Sequence, residues 1–585
     1  MDIFSILGLV GGLALFLYGM ELMGDSLKKL AGGKLESILS RLTSNRIKGF
    51  LLGFAVTAVI QSSSATTVML VGFVNSGLMK LGQTISIIMG ANIGTTVTAW
   101  LLSTADIQGT AVIMKLLKPE SFTPILAAIG LIMSMTANND RKRNTGAILM
   151  GFAILMFGMD AMSGAVEGLK DNESFINILT MFSNNPVMGI FVGTIFTAII
   201  QSSSASVGVL QALSLTCIIP YSTAIPVILG QNIGTTITPI LSSISGNTES
   251  KRVAFSCLYI KMIGVIVVAG IFYAINAFIP FEFMTQRATA FNIAVVHTLF
   301  NIISTVILLP FCSLFEKLAI KTIPSTKTEK ADVFDTLDER FLSVPAFAVE
   351  KCKDLVGDMY QISVSAFNKA IDLINNFDKT VYAEIEELEK MVDKYEDKTS
   401  TYLVKIAANQ MSAKDSKAVT ELLHCIGDIE RISDHSLNIA KAAKEISDKN
   451  VSFSNKARSD IQIIIAAVAD ILGITSQALM TDDLELAKRV EPLEQVVDRL
   501  KRKIKNGHIT RLRKGDCTME LGFILSDLIN NFERISDHCS NIAVCLIEIN
   551  NDSMETHEYL NKLKSGEIKE FADMYEKYKA KYYID

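Results

Sequence analysis

The stretch Gln61-Ser62-Ser63-Ser64-Ala65-Thr66 decides how this chain folds. It sets an amide beside consecutive hydroxyls, with an apolar run before it (Gly53 to Ile60) and another after it (Val68 to Gly72). The cluster returns 140 residues later as Gln201-Ser202-Ser203-Ser204-Ala205-Ser206, again behind an apolar run, Gly193 to Ile200. A second string keeps the same spacing: Gly90-Ala91-Asn92-Ile93-Gly94-Thr95-Thr96 reappears as Gly230-Gln231-Asn232-Ile233-Gly234-Thr235-Thr236. Two motifs repeating at one offset mark a duplication. Small residues also serve helix packing in membranes, but on a stripe rather than side by side. Contiguous polar groups in apolar surroundings need partners, because an unpaired one is costly there. They read as the lining of a site for a polar solute or ion.

The duplication begins at the amino end, where Tyr18-Gly19-Met20-Glu21 is matched by Phe157-Gly158-Met159-Asp160. Glu21 and Asp160 are equivalent, and an acid near a membrane helix end is either functional or simply solvated. The 585 residues are 49% hydrophobic, with a mean hydropathy of +0.36. That average hides two halves: long apolar runs up to about residue 317, then a stretch rich in Lys, Glu and Asp. This reads as a membrane domain followed by a soluble one. A net charge of −5, with no basic stripe among aromatics, argues against a nucleic-acid partner. Eight cysteines without CxxC pairing read as reduced thiols. The run from Ile3 to Met23 lacks a basic leader and a cleavage site, so it reads as a mature helix.

Crossing the hydrocarbon takes roughly 20 residues. The apolar stretches on either side of Gln61 are too short for that. Residues 49–78 therefore predict a re-entrant helical hairpin with its tip at the serines, and residues 189–215 predict a second. The Gly/Asn/Thr strings predict broken helices. His297 and Asn301 share one helix face and read as a structural pair. With three crossings per repeat, the basic loop Lys28, Lys29, Lys34, Arg41, Arg46 and Lys48 falls on one side with Arg141-Lys142-Arg143, Lys251-Arg252 and the whole soluble half. The acidic loop Asp171-Asn172-Glu173 and Phe281-Glu282-Phe283 fall on the other. The positive-inside rule makes the first side cytoplasmic and puts the amino terminus outside, in a multi-pass protein of the plasma membrane. An odd number of crossings inverts the second repeat, so the hairpins enter from opposite faces and meet near the midplane.

The expectation is an all-α chain. Residues 1–320 form a polytopic membrane domain of two inverted repeats with re-entrant hairpins, the first about 1–140 and the second about 145–315. Residues 321–336 are a linker and 337–585 a soluble helical domain. The candidate site takes Gln61, Ser62, Ser63, Ser64, Thr66, Asn92, Thr95 and Thr96 from one repeat. From the other it takes Gln201, Ser202, Ser203, Ser204, Ser206, Asn232, Thr235 and Thr236. Hydroxyls, amides and helix N-termini, with no basic residue inside the motifs, suit a hydrated oxyanion. Amide, hydroxyl and carbonyl oxygens suit Na⁺ beside it.

The soluble half holds a second duplication. Glu430-Arg431-Ile432-Ser433-Asp434-His435 returns 103 residues later as Glu533-Arg534-Ile535-Ser536-Asp537-His538, and Leu388 to Asp393 returns as Leu493 to Asp498. Strong helical periodicity predicts two three-helix units. The pairs Glu389/Asp393, Glu430/Asp434, Glu494/Asp498 and Glu533/Asp537 each put two carboxylates on one helix face. A single such pair is usually solvated charge; four opposed across bundles could hold a divalent or ferric metal. Arg431 and Arg534 read as partners of the carboxylates, and His435 and His538 as supporting or exposed groups.

The paired Gln-Ser-Ser-Ser clusters, the Asn-Ile-Gly-Thr-Thr strings and His297-Thr298-Leu299-Phe300-Asn301 resemble the type II sodium-dependent phosphate cotransporter family in its bacterial form. The soluble half resembles a PhoU-like domain. The resemblance implies Na⁺-coupled movement of inorganic phosphate by alternating access, with both clusters lining the substrate and Na⁺ site. It also implies metal clusters on the Glu-x-x-x-Asp faces and a part in phosphate regulation. Asn531 stands where the first soluble repeat has Asp428, so the two metal sites would differ. A phosphate-sensing membrane protein, a membrane-anchored metal-dependent hydrolase and a homo-oligomer are the other arrangements these residues permit.

Overall fold

The computed structural model describes residues 3–31, 45–106, 119–137, 139–167, 181–183, 185–217, 219–324, 333–409, 411–550 and 569–584. Lys34, Arg41, the acidic loop 171–173 and linker residues 325–330 lie outside them. The described residues are helical, without a β-strand, and divide into two compact units, Met1–Phe347 and Ala348–Asp585. Among the described residues seven helices are long and apolar enough to cross a membrane, six of them in the first unit.

In the first unit α1 (Ile3–Ala31) precedes a hairpin of α2 (Arg46–Ile60) and α3 (Ser63–Asn75). Then come the broken helix α4 (Leu81–Gly94) and α5 (Thr96–Ser103), and α6 (Pro119–Thr136). The second repeat gives α7 (Asp140–Ala165), the hairpin α8 (Pro186–Ile200) and α9 (Ser203–Thr216), the broken helix α10 (Tyr221–Gly234) and α11 (Ile237–Ser243), and α12 (Thr248–Phe278). Two closing helices follow, α13 (Ala290–Leu308) and α14 (Cys312–Thr322). The hairpins start alike: Asn45 Oδ1 accepts from the Ile47 N–H, and Asn185 Oδ1 from the Met188 N–H. Each cap satisfies one of the free N–H groups of a helix start.

Glycine sets how closely these helices approach. A Cβ added at Gly90 of α4 would sit 1.9 Å from the Phe50 carbonyl of α2, and one at Gly230 of α10 would sit 2.0 Å from the Ile190 carbonyl of α8. Each hairpin's entering helix is thus pressed on the broken helix of its own repeat. Backbone contact through small residues is how membrane helices gain packing energy where lipid is as apolar as Leu. The leading helices of the repeats, α1 and α7, cross in the same way: a Cβ on Gly19 would meet Leu155 N at 2.3 Å, and one on Gly158 would meet Phe16 N at 2.3 Å. Glu21 and Asp160 are both exposed, which fits the solvated reading.

After the linker the chain returns to this unit. Asn75, at the end of α3, donates from Nδ2 to Asp338 Oδ2 at 2.9 Å and accepts at Oδ1 from the Asn247 N–H at 2.8 Å. The Arg340 guanidinium pairs with Asp338 and reaches the Ser242 carbonyl at 3.3 Å. The Phe341 and Phe347 rings pack on Phe73 with centroids 5.3 and 5.0 Å away.

The second unit takes α15 (Pro345–Asn375) from Ala348 onward, then α16 (Lys379–Ala407), α17 (Ala413–Asp448), α18 (Asn455–Thr481), the short α19 (Leu484–Ala487), α20 (Val490–Arg513), α21 (Met519–Asn550) and α22 (Lys569–Lys581). Helices α15, α16 and α17 form one of its three-helix units, and α18, α20 and α21 the other. Tyr360 of α15 donates to the Leu472 carbonyl of α18 at 2.9 Å, and Ser363 donates to the Ile429 carbonyl of α17 at 3.3 Å. The seventh membrane-length helix is α18. Its apolar side is core (Ile461, Ile464, Val468, Ile471 and Leu472 are buried) and Asp470 ties it to Lys581 and Tyr582. It is a bundle helix.

Candidate substrate site

At each hairpin tip one residue turns the chain. Gln61 has φ 61° and Gln201 has φ 60°, both left-handed, and each donates its N–H back to the threonine four residues earlier, Thr57 or Thr197. A non-glycine residue in this region costs roughly 1 kcal/mol. Glycine would avoid that cost, so the glutamine side chain has a use. The next serine starts the returning helix: Ser62 Oγ accepts from the Ala65 N–H, and Ser202 Oγ from the Ala205 N–H. The first turns of α3 and α9 therefore begin at the tips with free N–H groups, a setting that favours anions.

The tips meet through α5. Thr98 donates to Gln61 Oε1 at 2.7 Å and accepts from the Ser204 hydroxyl at 3.4 Å, so one residue joins both clusters. Its counterpart 140 residues on, Thr238, donates to the Gln201 carbonyl at 3.4 Å, and Ser64 lies 3.5 Å from the same oxygen. Inside each hairpin a threonine bonds across to the other arm: Thr57 to Thr66 at 3.0 Å and Thr197 to Ser206 at 2.7 Å. Gln231 Nε2 donates to the Ser206 carbonyl at 3.0 Å, and Gln211 Nε2 to those of Ala99 and Ala290.

The broken-helix strings sit against the same place. A Cβ on Gly94 would lie 2.8 Å from Thr57 Cβ, and one on Gly234 2.7 Å from Thr197 Cβ. Thr95, Thr96, Thr235 and Thr236 donate back to carbonyls of the preceding helices, α4 and α10, at Ala91, Ile93, Asn232 and Ile233. Their protons are engaged, which leaves their oxygens as acceptors. Asn232 Nδ2 is spent on the Ile228 carbonyl, while Asn92 is half-buried. His297 differs from the expected satisfied histidine. It is buried at 1% exposure, and its Nδ1 has no hydrogen-bond partner among the described residues.

Sequence reading missed Thr98, Thr238, Thr57, Thr197, Gln211 and Lys261. The first four carried a signal: the Thr-Thr strings continue to Thr98 and Thr238, and Thr57 and Thr197 stand four residues before each glutamine. Gln211 and Lys261 carried none, being lone polar residues in apolar helices.

In the second unit the carboxylate faces are brought together in pairs of helices, α16 with α17 and α20 with α21. Burial first, then Asp434 and Glu396, push Glu430 up to about 7. Burial, then Glu491, Asp537 and Asp498, push Glu494 up to about 9. Asp537 rises to about 6 through burial and Glu533. Glu389 and Asp393 are raised too, each by burial and by Asp434 among its neighbours. The arginines take carboxylates as expected: Arg431 lies 3.5 Å from Glu430, Arg534 3.6 Å from Asp537, and Lys501 stands 3.0 Å from Glu533. Hard oxygen donors are the right chemistry for a metal. Even so, no three His, Cys, Asp or Glu side chains among the described residues converge to hold an ion. The expected metal cluster therefore finds no support in this arrangement. His435 and His538 do pair: His435 Nδ1 meets Asn531 Oδ1 and His538 Nδ1 meets Asp428 Oδ1, both at 2.8 Å, with the rings stacked 5.6 Å apart. The Asp428-to-Asn531 difference thus falls at a histidine contact.

Residues 15–164 and again 165–308 match the Na⁺/Pi-cotransporter family. The chain belongs to that family. Residues 356–443 and 461–546 match the PhoU domain. This cotransporter-family chain is 22% identical to the YjbB protein of Salmonella typhimurium, whose name refers to inorganic phosphate export, over 95% of this chain and 100% of that one. It is 39% identical to the sodium-dependent phosphate transport protein 2A of Rattus norvegicus over 15% of this chain and 14% of the rat protein. The PhoU structure from Pseudomonas aeruginosa is similar at 20% identity over 35% of this chain and 97% of its own, with a TM-score of 0.33.

Proposed function

We propose that this membrane protein carries inorganic phosphate together with Na⁺, at a site between the two Gln-Ser-Ser-Ser tips, by alternating access. The observation that carries the reading is the pair of tips, each turned on a left-handed glutamine, that Thr98 joins through Gln61 of one and Ser204 of the other. Ser63, Ser64, Ser203 and Ser204, with the first-turn N–H groups of α3 and α9, hold the phosphate oxygens. The oxygens of Gln61, Ser62, Thr66, Asn92, Thr95 and Thr96, and of Gln201, Ser202, Ser206, Asn232, Thr235 and Thr236, serve the cations. Without an arginine clamp the anion is held well only when Na⁺ is present, which is coupling in the thermodynamic sense. The charge pattern supports a cytoplasmic PhoU half and an outside amino terminus.

The test is phosphate flux in proteoliposomes holding the full chain, under Na⁺ or K⁺ gradients in either direction. Flux above equilibrium with Na⁺ alone is expected; equal flux with K⁺ would sink the coupling. Outward flux under an outward Na⁺ gradient is the same exchange run in the direction that the YjbB name describes. The PhoU match favours one further reading, phosphate sensing. If removal of residues 348–585 leaves Na⁺-driven flux intact, the PhoU half regulates rather than transports.

A further inference from the structure

Lys261 lies midway along α12, 8% exposed, and its Nζ donates to Thr235 Oγ1 at the break between α10 and α11. Thr235 in turn donates to the Asn232 carbonyl at 2.8 Å. Among the described residues of this unit the buried Arg252 is paired with Glu249, whereas no carboxylate pairs with Lys261. Its titratable neighbours are Cys257 and His297, and neither is a carboxylate. An ammonium buried in a membrane without a counter-ion is expensive and marks a functional place. Among the described residues, the equivalent break of the first repeat has no cation. Thr95 donates to the Ala91 carbonyl of α4, and the position 140 residues before Lys261 is Ser121, which is exposed.

We propose that the Lys261 ammonium is a built-in cation of the second half-site, standing at Thr235 and Asn232 where the first half-site, at Thr95 and Asn92, takes an exchangeable Na⁺. This inference rests on the transport reading above. A fixed ammonium supplies countercharge to the phosphate on every cycle without being carried across, so it saves one Na⁺ per phosphate. It also explains how an unpaired charge is tolerated there: the substrate is its partner.

The test compares full-length wild type with K261M and K261Q in proteoliposomes, with phosphate flux followed against Na⁺ replaced by choline. Both variants are expected to need about tenfold more Na⁺ for half-maximal flux, with a dependence steeper by about one ion. An unchanged Na⁺ dependence overturns the proposal. If neither variant carries flux, Na⁺-dependent thermal stabilisation of the purified proteins decides. A larger Na⁺ response in the variants than in wild type supports the vacated site, and an equal or smaller one overturns it. Wild type without Na⁺-driven flux would instead bring down the transport reading itself.

Discussion

The two hairpins share one local design and differ in their surroundings. Both are capped by asparagine, turn on a left-handed glutamine and bond arm to arm through a threonine. Yet Gln61 is buried beneath Thr98 at 6% exposure, while Gln201 is exposed. The first hairpin's tail is bound by Asp338, Phe341 and Phe347; the second's ends at Cys217, whose thiol reaches the Val166 carbonyl at 3.8 Å. Duplication therefore repeats what depends on neighbours in sequence, and tertiary contacts set the rest. In an inverted-repeat transporter such a difference between twins is what distinguishes one access state from the other.

The largest effects should come where the twins are alike. Gly90→Val and Gly230→Val each drive a side chain into a carbonyl about 2 Å away. Both should abolish flux and lower the melting temperature, since overpacking of this kind costs about 1–3 kcal/mol or more. Tolerance of either one would break the claimed symmetry. Next, Ser63→Ala and Ser203→Ala should each reduce phosphate flux by about tenfold or more with little change in melting, because on the proposed reading each removes a hydrogen bond to a charged ligand of about 1.5–3 kcal/mol. Wild-type flux in both would remove the serines from the site.

A titration sharpens the same lesson in the soluble unit. Glu421 stands where the second PhoU repeat has the buried Ile524. Burial and Asp482 push its carboxyl up to about 7, against the pull of Lys353. A carboxyl raised on folding favours the fold below its unfolded value, and that advantage is lost as pH rises through about 7. Glu421→Gln should therefore stabilise the unit by on the order of 1–2 kcal/mol at pH 8, and by nothing near pH 4. Melting curves at the two pH values check it. The smallest contrast is Thr98→Val against Thr238→Val. Thr98 touches both tips and Thr238 only one, so flux should fall several-fold more in the first.

Most of the membrane fold was legible because duplication and helix length are written locally. The tips fell at the serines because no apolar stretch around Gln61 or Gln201 can span the bilayer alone. Thr98 and Lys261 escaped because their meaning lies in contacts with distant residues, and a lone lysine in an apolar helix has no periodicity to betray it. The carboxylate pairs show the opposite limit. Spacing at i, i+4 placed them on one face correctly, but whether a third donor converges is a matter of helix register that spacing does not hold.

The return of the chain from Asp338 to Phe347 has a mechanical consequence. These residues grip the last turn of α3 through the Asn75 amide on Asp338, itself held by Arg340, and through tilted and edge-on rings. Tension applied at Ala348 is delivered to Phe73 and Asn75 over a short, stiff path instead of being absorbed in slack chain. The segment works as a lever arm on one hairpin, with its fulcrum at Asn75 and Asn247, and the other hairpin has no such handle among the described residues.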